Sequence, residues 1–187
     1  MKKITIALLL TFCFNGFSQN EKKESQTFKQ NEVKINALYL VFGAFESTYE
    51  RSLNESSAIG TSIGFSIDNQ NDIKNAIAFT PHYRFYFGKK PVSGLFMEGF
   101  AVYEKLKDKN EHYYYSPESG ETNLYKEKVT IYGLGIGLGG KWYTSKNIVF
   151  EINGGFGRNV SIESNVQYFR NYTRYNARIG ISAGYRF

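Results

Sequence analysis

Apolar and polar residues alternate along most of this chain from Val33 onward, and a period of two marks β-strands. The last stretch is the cleanest. Tyr175, Ala177, Ile179, Ile181, Ala183, Tyr185 and Phe187 share one face, and Asn176, Arg178, Gly180, Ser182, Gly184 and Arg186 share the other. The same rhythm predicts strands at Val33–Val41, Phe45–Leu53, Ala58–Ile67, Ala76–Phe87, Leu95–Glu104, Lys128–Tyr143, Ile148–Val160 and Tyr175–Phe187. Two strands break the rule. Pro81 lacks an N–H and predicts a local bulge in the fourth. In the fifth, Phe96 and Phe100 fall on the same face as Glu98.

The predicted connections alternate in length. Asn54–Ser57, Gly88–Gly94 and Thr144–Asn147 are short, whereas Asp68–Asn75, Lys105–Glu127 and Ser161–Arg174 are longer. The first long-side connection, Phe42-Gly43-Ala44, is the exception. Short turns at one end and long loops at the other are the asymmetry of bacterial membrane barrels. The fold expected is all-β, an antiparallel eight-stranded up-and-down transmembrane β-barrel.

A soluble barrel would alternate too, with its apolar face inward. The polar face separates the two cases. It carries mostly Gly, Ser, Thr and Asn with about one charge per strand, too few for a water-facing surface. Small residues suit the interior of an eight-stranded barrel, which has room only for side chains. Aromatic residues gather near strand ends: Phe85, Phe87, Trp142, Tyr143, Tyr185 and Phe187 at one rim, and Phe45, Tyr103, Tyr132 and Tyr175 at the other. Such girdles belong to membrane interfaces. The sparse inward charges then need one another, because an unpaired buried ion costs several kcal/mol. We expect a lumenal charge network of Glu46, Glu50, Arg84, Glu98, Lys141, Glu151, Arg178 and Arg186, with Lys34 as a further base.

Composition agrees with this. The 187 residues suffice for one domain, with 15 Tyr, 16 Phe and 18 Gly against 3 Pro. Lys2 and Lys3, an apolar Ile4–Phe14 and Gly16-Phe17-Ser18-Gln19 read as a signal peptide over residues 1–19. No apolar run of about 18 residues follows, which excludes helical spans. Residues 20–32 read as a flexible polar lead-in and residues 33–187 as the barrel domain. Cys13, the only cysteine, goes with the signal, so no disulfide or cysteine-based metal site is expected. Losing Lys2 and Lys3 lowers the formal charge from +6 to +4. The remaining charges are dispersed, and no nucleic-acid partner is expected.

Chemistry-bearing residues are few. His82 sits on the polar face among Thr80 and Arg84 and reads as a packed lumenal residue. His112 lies in the third long-side loop beside Tyr113-Tyr114-Tyr115 and reads as solvated. No serine pairs obviously with either, and two separated histidines do not make a zinc site. No catalytic residue, metal or cofactor is expected. The alternative is a lipid-modifying enzyme of the lipid A deacylase or acyltransferase kind, which would need an activated Ser or a His base. The loop tyrosines, with Tyr125, Tyr168, Phe169 and Tyr172, are equally suited to contacting an extracellular protein or glycan and to extending an upper girdle.

Tyr49-Glu50-Arg51, the run from Pro81 to Lys90, the Lys34-Ile35-Asn36 start and the glycine-rich sixth strand carry a resemblance. Over Val33 to Phe187 the chain resembles an uncharacterised domain-of-unknown-function family of small outer-membrane β-barrels of Gram-negative Bacteroidota. The resemblance implies outer-membrane lipid as surroundings and offers no agreed activity. Tyr185 and Phe187 also resemble the C-terminal signal read by the barrel-assembly machinery, although Ser182 stands where Gly is common. The function expected is a non-enzymatic outer-membrane barrel with a plugged lumen, presenting loops for envelope integrity, adhesion or partner binding.

Overall fold

The structure is a computed structural model that describes residues 29–67, 73–115, 122–164 and 174–187. Residues 1–19, where a signal peptide is expected, and most of the expected lead-in lie outside these residues. Eight strands form a closed antiparallel barrel in chain order: β1 (Asn31–Asn36), β2 (Ala44–Ser52), β3 (Ser57–Ser66), β4 (Ile73–Tyr86), β5 (Gly94–Tyr115), β6 (Thr122–Tyr143), β7 (Ile148–Ser164) and β8 (Tyr175–Arg186). β8 returns to pair with β1, from Glu32↔Arg186 to Asn36↔Ser182. Closure leaves no free sheet edge along the paired stretch. Among the described residues no helix is long and apolar enough to cross a membrane, which has no bearing on strands.

Alternation orients every strand the same way. Along β6, Ile136 and Leu138 are 71% and 63% exposed on the outer face, while Lys141 is 0% exposed inside. Ile59, Ile63, Phe79, Phe150, Ile152, Ile179 and Ile181 also face outward. Arg84, Glu50 and Glu151 lie inside, each with almost no exposure. Among the described residues Tyr86, Phe96, Phe100 and Ile131 are large apolar side chains buried here, and charged and polar groups occupy much of the rest.

The two aromatic residues that broke the fifth strand's pattern have a partner in β6. Phe96 lies opposite Gly139, Glu98 opposite Gly137 and Phe100 opposite Gly135. A Cβ at Gly139 would run into the Phe96 ring, and one at Gly137 would lie 2.9 Å from Glu98 Cγ. Large inward groups on β5 thus fill the space that the glycine face of β6 leaves. The alternation was intact; it was the assumption of a uniformly polar inner face that failed.

Several expected boundaries change. β1 starts at Asn31, inside the predicted lead-in, and stops at Asn36. Residues expected to complete that strand form a short helix, α1 (Ala37–Val41). Asn36 caps it, its side chain accepting from the Leu38 N–H at 3.2 Å, and Ala-Leu-Tyr-Leu are adequate helix formers. Gly43, at φ 72°, turns the chain into β2. β5 and β6 extend well into the predicted loop of Lys105–Glu127, pairing out to Tyr115↔Thr122. β-prone Tyr and Thr residues keep that ladder going. Pro81 causes no bulge. The β4–β5 register is the same at Phe79↔Tyr103 and His82↔Phe100, and the ladder simply skips the rung that a missing N–H cannot make. Irregularities occur elsewhere, between Lys74 and Ile77 and opposite Tyr132 and Gly133, where β7 carries an extra residue, Val160.

Candidate functional site

The inward charges meet near the short-turn end of the lumen. Glu50 of β2 is the hub. Its Oε2 accepts from Lys34 Nζ at 3.0 Å and Arg84 Nη1 at 2.6 Å, and its Oε1 accepts from Tyr86 Oη at 2.8 Å and from Lys141 Nζ. Glu151 of β7 accepts from Lys34 at 2.5 Å and Arg84 at 2.8 Å. Glu98 of β5 accepts from Arg84 Nε at 2.9 Å. Glu32 of β1 takes Lys141 at 2.9 Å and Arg186 at 2.7 Å. Glu32, Glu50, Glu98 and Glu151 therefore balance Lys34, Arg84, Lys141 and Arg186. Arg178 and Glu46 lie higher in the lumen, 3.8 Å apart.

Each of four lumenal cations also lies against an aromatic ring: Arg84 over Phe96 at 4.4 Å, Lys141 over Tyr86 at 4.5 Å, Arg178 over Phe100 at 5.7 Å and Arg186 over Tyr143 at 4.1 Å. Contacts of this kind strengthen when desolvated. They also correct one expectation. Tyr143 shares the face of Lys141 and turns inward to Arg186, so it is not part of the outer girdle.

The turn between β4 and β5 folds over this end. Val92 has no exposed surface and packs with Ala58, Tyr86 and Phe96. Its φ of 47° is unusual for a β-branched residue, and the surrounding bonds hold it there. Its N–H donates to the Glu55 carbonyl at 2.7 Å, its own carbonyl accepts from Arg186 Nη2 at 3.0 Å, and Ser93 Oγ donates to the Lys141 carbonyl at 3.0 Å.

The structure thus draws Glu50, Arg84, Glu98, Lys141, Glu151 and Arg186 into one cluster and sets Glu46 and Arg178 above it. Glu32, Tyr86 and the ring of Phe96 complete the cluster and were missed. Glu32 carries a readable signal, since it shares parity with Lys34 and Asn36, but it lies one residue before the predicted strand start at Val33. His82 adjoins the cluster, Nε2 3.7 Å from Glu50 and Nδ1 3.4 Å from the Thr80 carbonyl. His112 lies in β5 opposite Tyr125; its side chain, and those of Tyr113, Tyr114 and Tyr115, lie outside the described residues, as do Tyr168, Phe169 and Tyr172. Tyr185 and Phe187 point outward at the closing seam, where Phe187 exchanges backbone bonds with Asn31. Among the described residues no group of three or more His, Cys, Asp or Glu is placed to hold a metal ion. Chemically, the cluster is a set of four carboxylates bonded to four cations.

A family model described as protein of unknown function (DUF3575) matches residues 4–178. The chain belongs to this DUF3575 family. No curated protein matches it. Among solved structures, the N-terminal β-barrel domain of Pseudomonas aeruginosa OprF is similar, with 16% identity, a TM-score of 0.49, and coverage of 87% of this chain and 100% of that one.

Proposed function

We propose that this DUF3575 protein is a non-enzymatic outer-membrane β-barrel with a charge-sealed lumen, displaying its long hairpins for envelope integrity, adhesion or partner binding. One observation carries the reading: the barrel wears its apolar side chains outside and keeps its ions inside. In water that arrangement would expose a continuous greasy belt, far beyond the patches monomers tolerate. The belt has the right height. The outer row of β6 from Tyr132 to Trp142 spans about ten residues, which at about 3.4 Å each and a tilt of about 40° rise about 26 Å. Membrane barrels carry an apolar band of about 25 Å.

β5 and β6, each 22 residues, run beyond the length a membrane crossing needs, about 9–11 residues. Exposed Lys105 and Lys128 mark the edge of the belt. The ladder above them is a projecting hairpin, a surface for an extracellular protein or glycan. We take the surroundings to be outer-membrane lipid of a Gram-negative, Bacteroidota-type envelope, as the resemblance implies, and Tyr185 and Phe187 to be read by the barrel-assembly machinery.

The enzymatic alternative gains no specific support. His82 is buried against Glu50, and no described serine hydroxyl bonds to it; the hydroxyl of Ser62 is engaged with Thr48 and Arg178. The decisive experiment is a heat-modifiability gel on isolated outer membranes. A folded barrel migrates differently before and after boiling, and a single unshifted band in that fraction would overturn the proposal. In planar bilayers the sealed lumen should give no steady openings; sustained conductance would refute the seal.

A further inference from the structure

The barrel wall has a notch. β1 stops at Asn36, but β8 continues from Ser182 to Tyr175, and β2 begins only at Ala44. Along this stretch α1 stands between β2 and β8 in place of a strand. Asn36 trims the break. Its Nδ2 donates to Glu46 Oε1 at 3.0 Å and to the Ile179 carbonyl at 3.4 Å, and its Oδ1 accepts from the Ile181 N–H at 3.3 Å. Beyond Ile179 no described strand lies beside that edge of β8.

Behind the notch lies a cavity of about 210 Å³. Its lining comes from both faces of the wall: Glu46, Glu104 and Arg178 point into the lumen, while Phe45, Phe65 and Ala177 belong to the outer face. Residues of both faces of the wall, together with Tyr39 of α1, thus border the space. Its inner end is polar and incompletely bonded. The Arg178 side chain is 9% exposed, and Nη2 donates to Ser62 at 2.9 Å. Its Nη1 has no hydrogen-bond partner, with Glu98 Oε1 3.7 Å away and equally unpartnered. Glu104 faces the same cavity with no ion pair or hydrogen bond among the described residues.

A buried guanidinium N–H left without an acceptor is costly, and the half-buried Glu104 carboxylate in the same cavity is open to a donor. One ligand chemistry answers both and also uses the apolar part of the lining. We propose that the notch binds a single-chain zwitterionic amphiphile. Its anionic oxygen accepts from Arg178 Nη1, its ammonium group meets Glu104, and its alkyl chain leaves past Phe45 and Phe65 into the bilayer. The proposal rests on the membrane reading above.

The test titrates lysophosphatidylethanolamine into the full barrel purified in maltoside and counts bound lipid by native mass spectrometry. Lysophosphatidylglycerol, which lacks the ammonium group, is the comparison. Saturable binding of one molecule, at least tenfold tighter than the glycerol lipid, is expected. Glu104→Gln should weaken it at least tenfold. Gly64→Leu should abolish it by filling the cavity, since a Cβ there meets nothing closer than 3.5 Å. Equal binding of the two lipids, no saturable binding, or no effect of Glu104→Gln would overturn the inference. All proteins are first checked for the heat-induced gel shift and for flotation with liposomes. Wild type that floats but does not discriminate between the lipids sinks the notch site alone; wild type that fails to float sinks the membrane reading.

Discussion

Glu50→Gln tests whether the lumenal cluster holds the barrel together. The substitution keeps the size of the side chain but removes one charge from a set in which Glu32, Glu50, Glu98 and Glu151 offset Lys34, Arg84, Lys141 and Arg186. Lys34, Arg84 and Lys141 all bond Glu50 and are all essentially unexposed. The amide can accept from only one or two of them, and its own N–H groups then face a cation. Breaking a buried ion pair by removing one partner costs about 3–5 kcal/mol. With a urea slope of about 2 kcal/mol per M, the unfolding midpoint should fall by about 2 M. The assay is urea unfolding of the barrel in lipid vesicles, followed by the gel shift. Glu50→Gln combined with Lys34→Met restores neutrality, and Glu151 keeps Arg84 at 2.8 Å; the double variant should recover about 2 kcal/mol relative to the sum of the singles. A Glu50→Gln midpoint within about 0.3 M of wild type, the level of an ordinary surface change, would refute the reasoning.

Three further outcomes follow from the same geometry. Gly135→Ala should cost about 1–3 kcal/mol, because its Cβ would lie 2.6 Å from Phe100 Cε2 and 2.9 Å from Gly157 Cα; Phe100→Leu in the same chain should restore part of the loss, and an additive penalty would argue against the interlock. Leu138→Arg, in the middle of the outer row, should cost about 2–4 kcal/mol in vesicles, whereas Lys128→Ala should cost almost nothing; a free Leu138→Arg would contradict hydrocarbon on that face. Asn36→Ala removes the cap of α1 and the bonds to Glu46, Ile179 and Ile181, and should cost about 1–3 kcal/mol, with faster amide exchange over residues 37–43. Unchanged exchange there would mean that α1 is held by other contacts.

Much of this architecture was legible because a strand writes its two faces into alternate residues. The direction of each face came from its charge count, and parity alone assigned Glu50, Arg84, Lys141 and Glu151 to the interior. What escaped depended on neighbours in space. Nothing local shows that Phe96 will lie opposite Gly139, because register is a property of two strands. Nor does Tyr143 announce that it turns toward Arg186, since an aromatic residue at a strand end fits either the girdle or the lumen. The helix in place of the upper half of β1 was hidden for a different reason. Ala37 to Val41 is compatible with strand or helix, and the cap at Asn36 decides. The Tyr-rich segment reads as loop in sequence because its polar residues mask a ladder that continues beyond the apolar belt.

The latch on the β4–β5 turn has a consequence for how such a chain is built. Arg186, which clasps the carbonyls of Pro91 and Val92, lies at the end of β8, opposite Glu32 of β1 at the closing seam. The floor of the barrel is thus fastened by the strand that closes the ring on β1, and while that seam is open the central ions are open to solvent from below. Completion of the ring and drying of its centre are one step.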